Sequence, residues 1–157
     1  MTIEKILARE GKYLTFALGR EDYGLEILKV REIIGIMNIT AVPQVPVYVK
    51  GVINLRGKVI PVIDLRLKFG MPSIDITPET CIIIVNLKDV LIGIIIDRVK
   101  EVLEIKQDKI EASPNFGADV HTDFILGIAK FNDSVKILLN IERILGEDTA
   151  FTSQIGQ

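Results

Sequence analysis

Gly51-VINLRGKVIPVIDLRLKF-Gly70 and Gly127-IAKFNDSVKILLNIERIL-Gly146 are the stretches whose reading decides the fold. Laid over one another at an offset of 76 residues, both begin and end on glycine. Val59 meets Val135, Val62 meets Leu138, Leu65 meets Ile141 and Phe69 meets Leu145. Each stretch reads as a hairpin followed by a short helix. Val52 to Leu55 and Val59 to Ile63 flank a turn at Arg56-Gly57-Lys58, and the second copy turns at Asn132-Asp133-Ser134. Pro61 has no N–H to give a ladder, which places it on an edge or at a bulge. Asp64 and Asn140 are good N-cap residues, and Gly70 and Gly146 are natural helix stops.

A second block of similarity lies upstream of each hairpin. Tyr13 to Gly24 falls on Ile82 to Gly93, with Leu18 on Leu87 and Gly24 on Gly93, an offset of 69. The register continues through Leu25 to Ile34, pairing Val30 with Val99, Arg31 with Lys100, Glu32 with Glu101 and Ile33 with Val102. Leu14 to Leu18 and Ile82 to Leu87 are short apolar runs, and Glu21-Asp22 and Lys88-Asp89 mark the turns that end them. Ile27, Val30, Ile33 and Ile34 have helical spacing, which fits a short helix or a bent strand, and a helical turn between strands is favoured there. The order in each half is strand, turn, strand, helical turn, strand, irregular connection, hairpin and terminal helical turn.

About five strands per half, at 8 to 12 residue spacing, indicate small antiparallel barrels rather than βαβ units. The expected fold is all-β with short helices, two barrels packed side by side. The first repeat occupies 13–70 and the second 82–146, within one domain of 1–157 that ends in a tail, 147–157. Gly70 to Glu79 joins the halves. Glu111 to Asp123 is the longest irregular stretch, and loops of that length often carry function.

Composition narrows the function classes. Nineteen basic and 21 acidic residues leave a net charge of −2, without the positive footprint that nucleic acid or an anionic membrane calls for. Glu4, Lys5, Arg9, Glu10 and Lys12 interrupt the N-terminal segment, so no signal peptide is expected. No apolar run approaches the roughly 18 residues of a membrane-spanning helix. Cys81, the single cysteine, reads as a small hydrophobe within an apolar run, and the expected compartment is the cytoplasm.

Candidate chemistry is sparse. His121 and Cys81 are far apart and occur once each, which disfavours zinc, and no cofactor is expected. His121 lies near Asp119 and Asp123 and reads as a solvated loop histidine. Ser113 and Ser134 sit in turn-like contexts. Asp64 and Asp97 each follow an apolar run, where a catalytic acid can stand, but both also suit an N-cap. No phosphate-binding glycine loop is present. No catalytic residue is assigned and no enzyme activity is expected.

The two copies differ most at the hairpin turn, where Arg56-Gly57-Lys58 stands opposite Asn132-Asp133-Ser134. A basic turn can meet a partner's carboxylates, and arginine is well suited to such contacts. It is equally an ordinary solvated turn. Phe116, beside Pro114 and Gly117, either anchors a partner or folds back on the core.

Tyr23-Gly24, Ile27 to Ile33, Pro46, Lys50 to Gly57, Val59 to Arg66 and Phe69-Gly70 together resemble the CheW family of chemotaxis adaptor (coupling) proteins. Gly93 to Asp97, Val99, Val102 and Ile137 to Ile141 continue the likeness. It covers about Lys12 to Gly146, and Gly51 to Leu65 is its most specific part. The resemblance implies two five-stranded SH3-like barrels without catalysis. They would bridge the cytoplasmic tip of methyl-accepting chemotaxis receptors and the regulatory domain of the histidine kinase CheA in arrays at the inner face of the membrane. Neither nucleic-acid binding nor membrane insertion is implied. Carried onto this sequence, Val30, Glu32, Gly51, Arg56 and Val102 are the expected receptor-binding residues and Phe116 a kinase-binding one. The receptor tip would dock near the junction of the barrels. Two alternatives remain: a scaffold in a chemosensory pathway unrelated to motility, and a small ligand-binding or hydrolytic barrel using Asp64, Asp97 or His121 in the cleft between halves.

Overall fold

The computed structural model of the protein describes residues 8–114 and 123–146. In chain order its strands are β1 (Gly11–Leu18), β2 (Glu21–Glu26), β3 (Val30–Gly35), β4 (Val49–Leu55), β5 (Lys58–Asp64), β6 (Cys81–Leu87), β7 (Val90–Ile96), β8 (Arg98–Ile105), β9 (Ile110–Glu111), β10 (Ile125–Phe131) and β11 (Ser134–Leu139). A 3₁₀ turn, Ile27–Lys29, supplies the helical turn expected before β3, and the α-helix α1 spans Leu65–Lys68. Residues 141–146 are also helical. Both terminal helical turns are capped as their sequence predicts. The Asp64 carboxylate accepts the N–H of Leu67 at 3.3 Å, and Asn140 Oδ1 accepts that of Arg143 at 3.2 Å.

The strands form two sheets belonging to two compact units. The first unit is built from the described residues up to Ile27 together with Lys100–Gly146, the second from Leu28–Val99. Strand order is β8-β1-β2-β11-β10-β9 in one sheet and β3-β6-β7-β5-β4 in the other. This grouping departs from the expected division at 13–70 and 82–146. Hairpin β1–β2 of the first half completes the sheet of the second half, and β6–β7 does the reverse. The reason is the repeat itself: the two hairpins are equivalent, so sequence likeness identifies matching strands without saying which copy each one joins.

The exchange also makes the sheets mixed rather than purely antiparallel. β2 runs parallel to β11 with Gly24 opposite Leu138, and β7 runs parallel to β5 with Gly93 opposite Val62. These are repeat-equivalent pairs in identical register. A Cβ on Gly24 would lie 2.9 Å from Leu138 Cδ2, and one on Gly93 would lie 2.8 Å from Ile82 Cγ2, so glycine is what lets the layers close. Pro61 lies on an interior strand, not an edge. Its residue pairs with Val52 on β4, while the ladder to β7 begins only at Val62.

Turn chemistry follows the loops with one shift. Lys88 and Asp89 form the β6–β7 turn with φ of 51° and 68°, tied by Asp89 N–H to Asn86 Oδ1 at 3.1 Å. The β1–β2 turn falls on Gly19-Arg20 instead of Glu21-Asp22, because glycine at position 19 takes the positive φ of 61°. β6 and β7 are central strands buried on both faces, which explains why Ile82 to Val85 reads as an unbroken apolar run. Ile53, Ile60, Val62, Ile82 and Ile84 form the core of their unit. Tyr13, Ile105, Ile110, Ala129 and Leu138 are the matching core of the other.

At the β2–β11 seam an ion cluster replaces apolar packing. Asp22 stands opposite Lys136 in the ladder, and its carboxylate accepts from Lys136 Nζ and Lys100 Nζ, each at 2.9 Å. The equivalent positions in the other unit are Leu91 and Ile60, both part of its core packing. Burial raises the Asp22 pKa, but the two lysines' hydrogen bonds and charges outweigh it and hold the carboxyl below its ordinary value. A depressed folded pKa contributes stability above the unfolded carboxyl pKa of about 3.9, lost as pH falls through the lower folded value. Asp22→Asn is therefore expected to destabilise the protein at pH 7 by up to about 3 kcal/mol, since Lys136 is left nearly buried without its partner. In urea unfolding the gap to wild type should narrow steadily below about pH 4.

Candidate functional site: a charged hairpin turn and a buried clamp

The β4–β5 turn is a tight two-residue turn. Arg56 and Gly57 have φ of 51° and 87°, and Gly57 N–H donates to Asn54 Oδ1 at 2.9 Å. Holding Arg56 in a left-handed conformation aims its guanidinium at β3, where it forms an ion pair with Glu32. The Arg56 side chain remains 69% exposed and that of Glu32 31%, so the pair closes on one side and stays open to a partner on the other. In the first unit the equivalent positions are Glu101 and the neutral Asn132, so the same pair cannot form. The expected asymmetry between copies is thus a difference in surface electrostatics at one turn.

Three further expected residues have different surroundings. Val30 is partly buried at the start of β3, where one extra residue separates it from Glu32 in the β6 register. Gly51 is buried at the β4 bulge with φ of 140°, and a Cβ there would come within 2.0 Å of the Thr40 carbonyl oxygen. A side chain there would be driven into the backbone of Thr40 and Ala41. Val102 lies on β8, in the other unit, half exposed. Phe116 and His121 fall outside the described residues. Apolar side chains are exposed at Leu28, Ile33, Val59, Val102 and Val135, and two pairs of these, Ile33 with Val102 and Val59 with Val135, are repeat-equivalent.

The candidate acids are structural. Asp97 is not an N-cap, because β8 begins at Arg98 as a strand. Its two carboxylate oxygens instead take a bidentate contact from Arg66 on α1, Nε at 2.7 Å and Nη2 at 2.6 Å. Arg66 Nη1 also donates to the Pro72 carbonyl at 3.2 Å. Asp64 is committed to its helix cap. These residues border an open groove of about 370 Å³ within the second unit, with Ile36, Ile39, Ile74 and Ile95 on its walls. Among the described residues no group of three metal-ligating side chains converges. The Arg66–Asp97 clamp had no local signal, since its members are 31 residues apart in sequence.

Two small β units that meet the solvent with a charged turn and exposed apolar side chains have the features of a protein-interaction module. Comparison with known proteins places it further. Residues 12–149 match the family model described as CheW-like domain. The chain is 36% identical over 137 residues to chemotaxis protein CheW of Klebsiella aerogenes, covering 87% of this chain and 82% of that one. It is 39% identical over 137 residues to chemotaxis protein CheW of Helicobacter pylori, with the same coverage. The crystal structure of scaffolding protein TtCheW from Thermoanaerobacter tengcongensis superposes with a TM-score of 0.78 at 38% identity, covering 87% of this chain and 92% of that one. The chain belongs to the CheW family, whose members are chemotaxis scaffolding adaptors, and its β architecture agrees with the pair of SH3-like barrels expected from the sequence.

Breaking the clamp tests its structural role. Asp97→Ala removes the carboxylate that holds Arg66, whose side chain is 12% exposed. The variant should lose up to about 3 kcal/mol in urea unfolding, since the pair is mostly but not fully withdrawn from water. Hydrogen exchange at Met71, whose N–H donates to the Arg66 carbonyl at 2.8 Å, should accelerate more than at the β6–β7 ladder.

Proposed function

We propose that this protein couples a methyl-accepting chemotaxis receptor to the histidine kinase CheA by surface contact, without chemistry of its own, in cytoplasmic arrays at the membrane. The observation that carries the reading is the Arg56–Glu32 pair on a turn whose repeat-equivalent lacks it. A fixed, half-open ion pair can exchange one partner for another at low cost, and a helical receptor tip with carboxylates beside apolar residues is a fitting occupant. Val30 and Glu32 would line that contact, with Arg56 at its rim, and Val102 is also assigned to the receptor. Gly51 would keep the β4 edge in shape. Phe116 is assigned to the CheA regulatory domain. Membership of the CheW family and the absence of a committed catalytic group at Asp64 or Asp97 support an adaptor over a hydrolase.

Charge reversal is the direct test. Arg56→Glu should fold normally, since its side chain is mostly exposed, and should weaken binding to receptor-tip fragments about tenfold while leaving CheA binding unchanged. Adding Glu32→Arg should restore part of the loss by remaking the pair with the charges exchanged. Unaltered receptor binding by Arg56→Glu in co-sedimentation would remove Arg56 from the interface.

A further inference from the structure

The two halves of the chain are joined by strand pairings and a shared core, whereas the connector between them lies on the surface. β3 of the first half pairs with β6 of the second from Val30–Val85 to Gly35–Cys81, β5 pairs with β7, and β2 pairs with β11. The core formed by Ile53, Ile60 and Val62 with Ile82 and Ile84 is shared between halves as well. Residues 71–80, which join them, are exposed from Pro72 to Glu79. The hydrogen bonds of this connector run back to the first half, through Met71 and Pro72 to Arg66, or stay internal, as from Thr77 N–H to Thr80 Oγ1 at 2.9 Å.

We propose that two copies of this chain exchange halves. In the exchanged dimer, residues up to 70 of one copy complete both sheets with residues from 81 of its partner copy, and the connector acts as hinge. Every strand pair and core contact is conserved in such a dimer, because none depends on the two halves sharing a chain. Only the connector changes conformation. The balance is set by concentration. A short linker holds its ends at an effective concentration in the millimolar range, so the closed monomer dominates in dilute solution and exchange competes as refolding concentration approaches that value.

The ladder supplies its own reporter. Gly35 lies directly opposite Cys81, and a Cβ built on Gly35 meets nothing within 4 Å. Directly opposed antiparallel residues have Cα atoms about 4.5–5.5 Å apart, within disulfide reach. The full-length Gly35→Cys variant is unfolded in denaturant and refolded at rising concentration. It is then oxidised and separated without reductant, beside wild type and Gly35→Cys/Cys81→Ser as controls. Exchange predicts a disulfide-linked monomer after dilute refolding and a growing fraction of covalent dimer after concentrated refolding, with both controls free of covalent dimer. Should the disulfide fail to form, a variant lacking only residues 73–76 decides by light scattering, where the shortened hinge makes a native-like dimer the main species. Linked monomer at every concentration, or a native monomer from the shortened chain, would overturn the proposal.

Discussion

Everything in this molecule depends on one register, the parallel pairing that sets Gly24 against Leu138 and Gly93 against Val62. Each pairing fastens a hairpin from one half of the chain to the closing strands of the other. Side chains at either glycine would be driven into a neighbouring side chain, so the exchange is tolerated because both copies keep the same gap. Topology then does the rest. Neither sheet is complete until both halves are made, which ties the surface of each unit to residues distant in sequence.

That dependence bears on how an adaptor works. The Arg56 turn is presented by β4 and β5, but β5 is held in place by β7 from the other half, and β3, which carries Glu32, is held by β6. The ion pair is therefore preorganised by a core it does not touch. Preorganisation reduces the ordering cost of binding, so a modest contact patch can still give a specific complex. In the other unit the conspicuous ion cluster moves inward, to Asp22 with Lys100 and Lys136 at the exchange seam. The same framework places an exposed ion pair on one unit and a half-buried ion cluster in the other.

Local chemistry was legible in the sequence wherever it was encoded locally. Asp64 and Asn140 announced their helix caps, Lys88-Asp89 and Arg56-Gly57 their turns, and the apolar runs their strands, because capping and positive φ are decided within a few residues. The repeat exposed the equivalences, including Val59 with Val135. What stayed hidden was long-range. Nothing in a hairpin says which of two similar barrels it completes, and Asp97 looked like a cap because its true partner, Arg66, is brought to it only by folding. Gly51 was legible through its motif, while the Thr40 carbonyl that a Cβ there would meet became visible only in the fold. Arg56 and Glu32 were each chosen separately, and the fold made them one feature.

The central claim is that this chain is the physical link between receptor and kinase. It is tested most directly by sedimenting CheA with receptor-tip fragments in the presence and absence of the full-length protein. The account predicts that the chain binds each partner separately and that it increases the amount of kinase carried down with the receptor. Binding to neither partner, or kinase recovery that does not change when the chain is added, would contradict it.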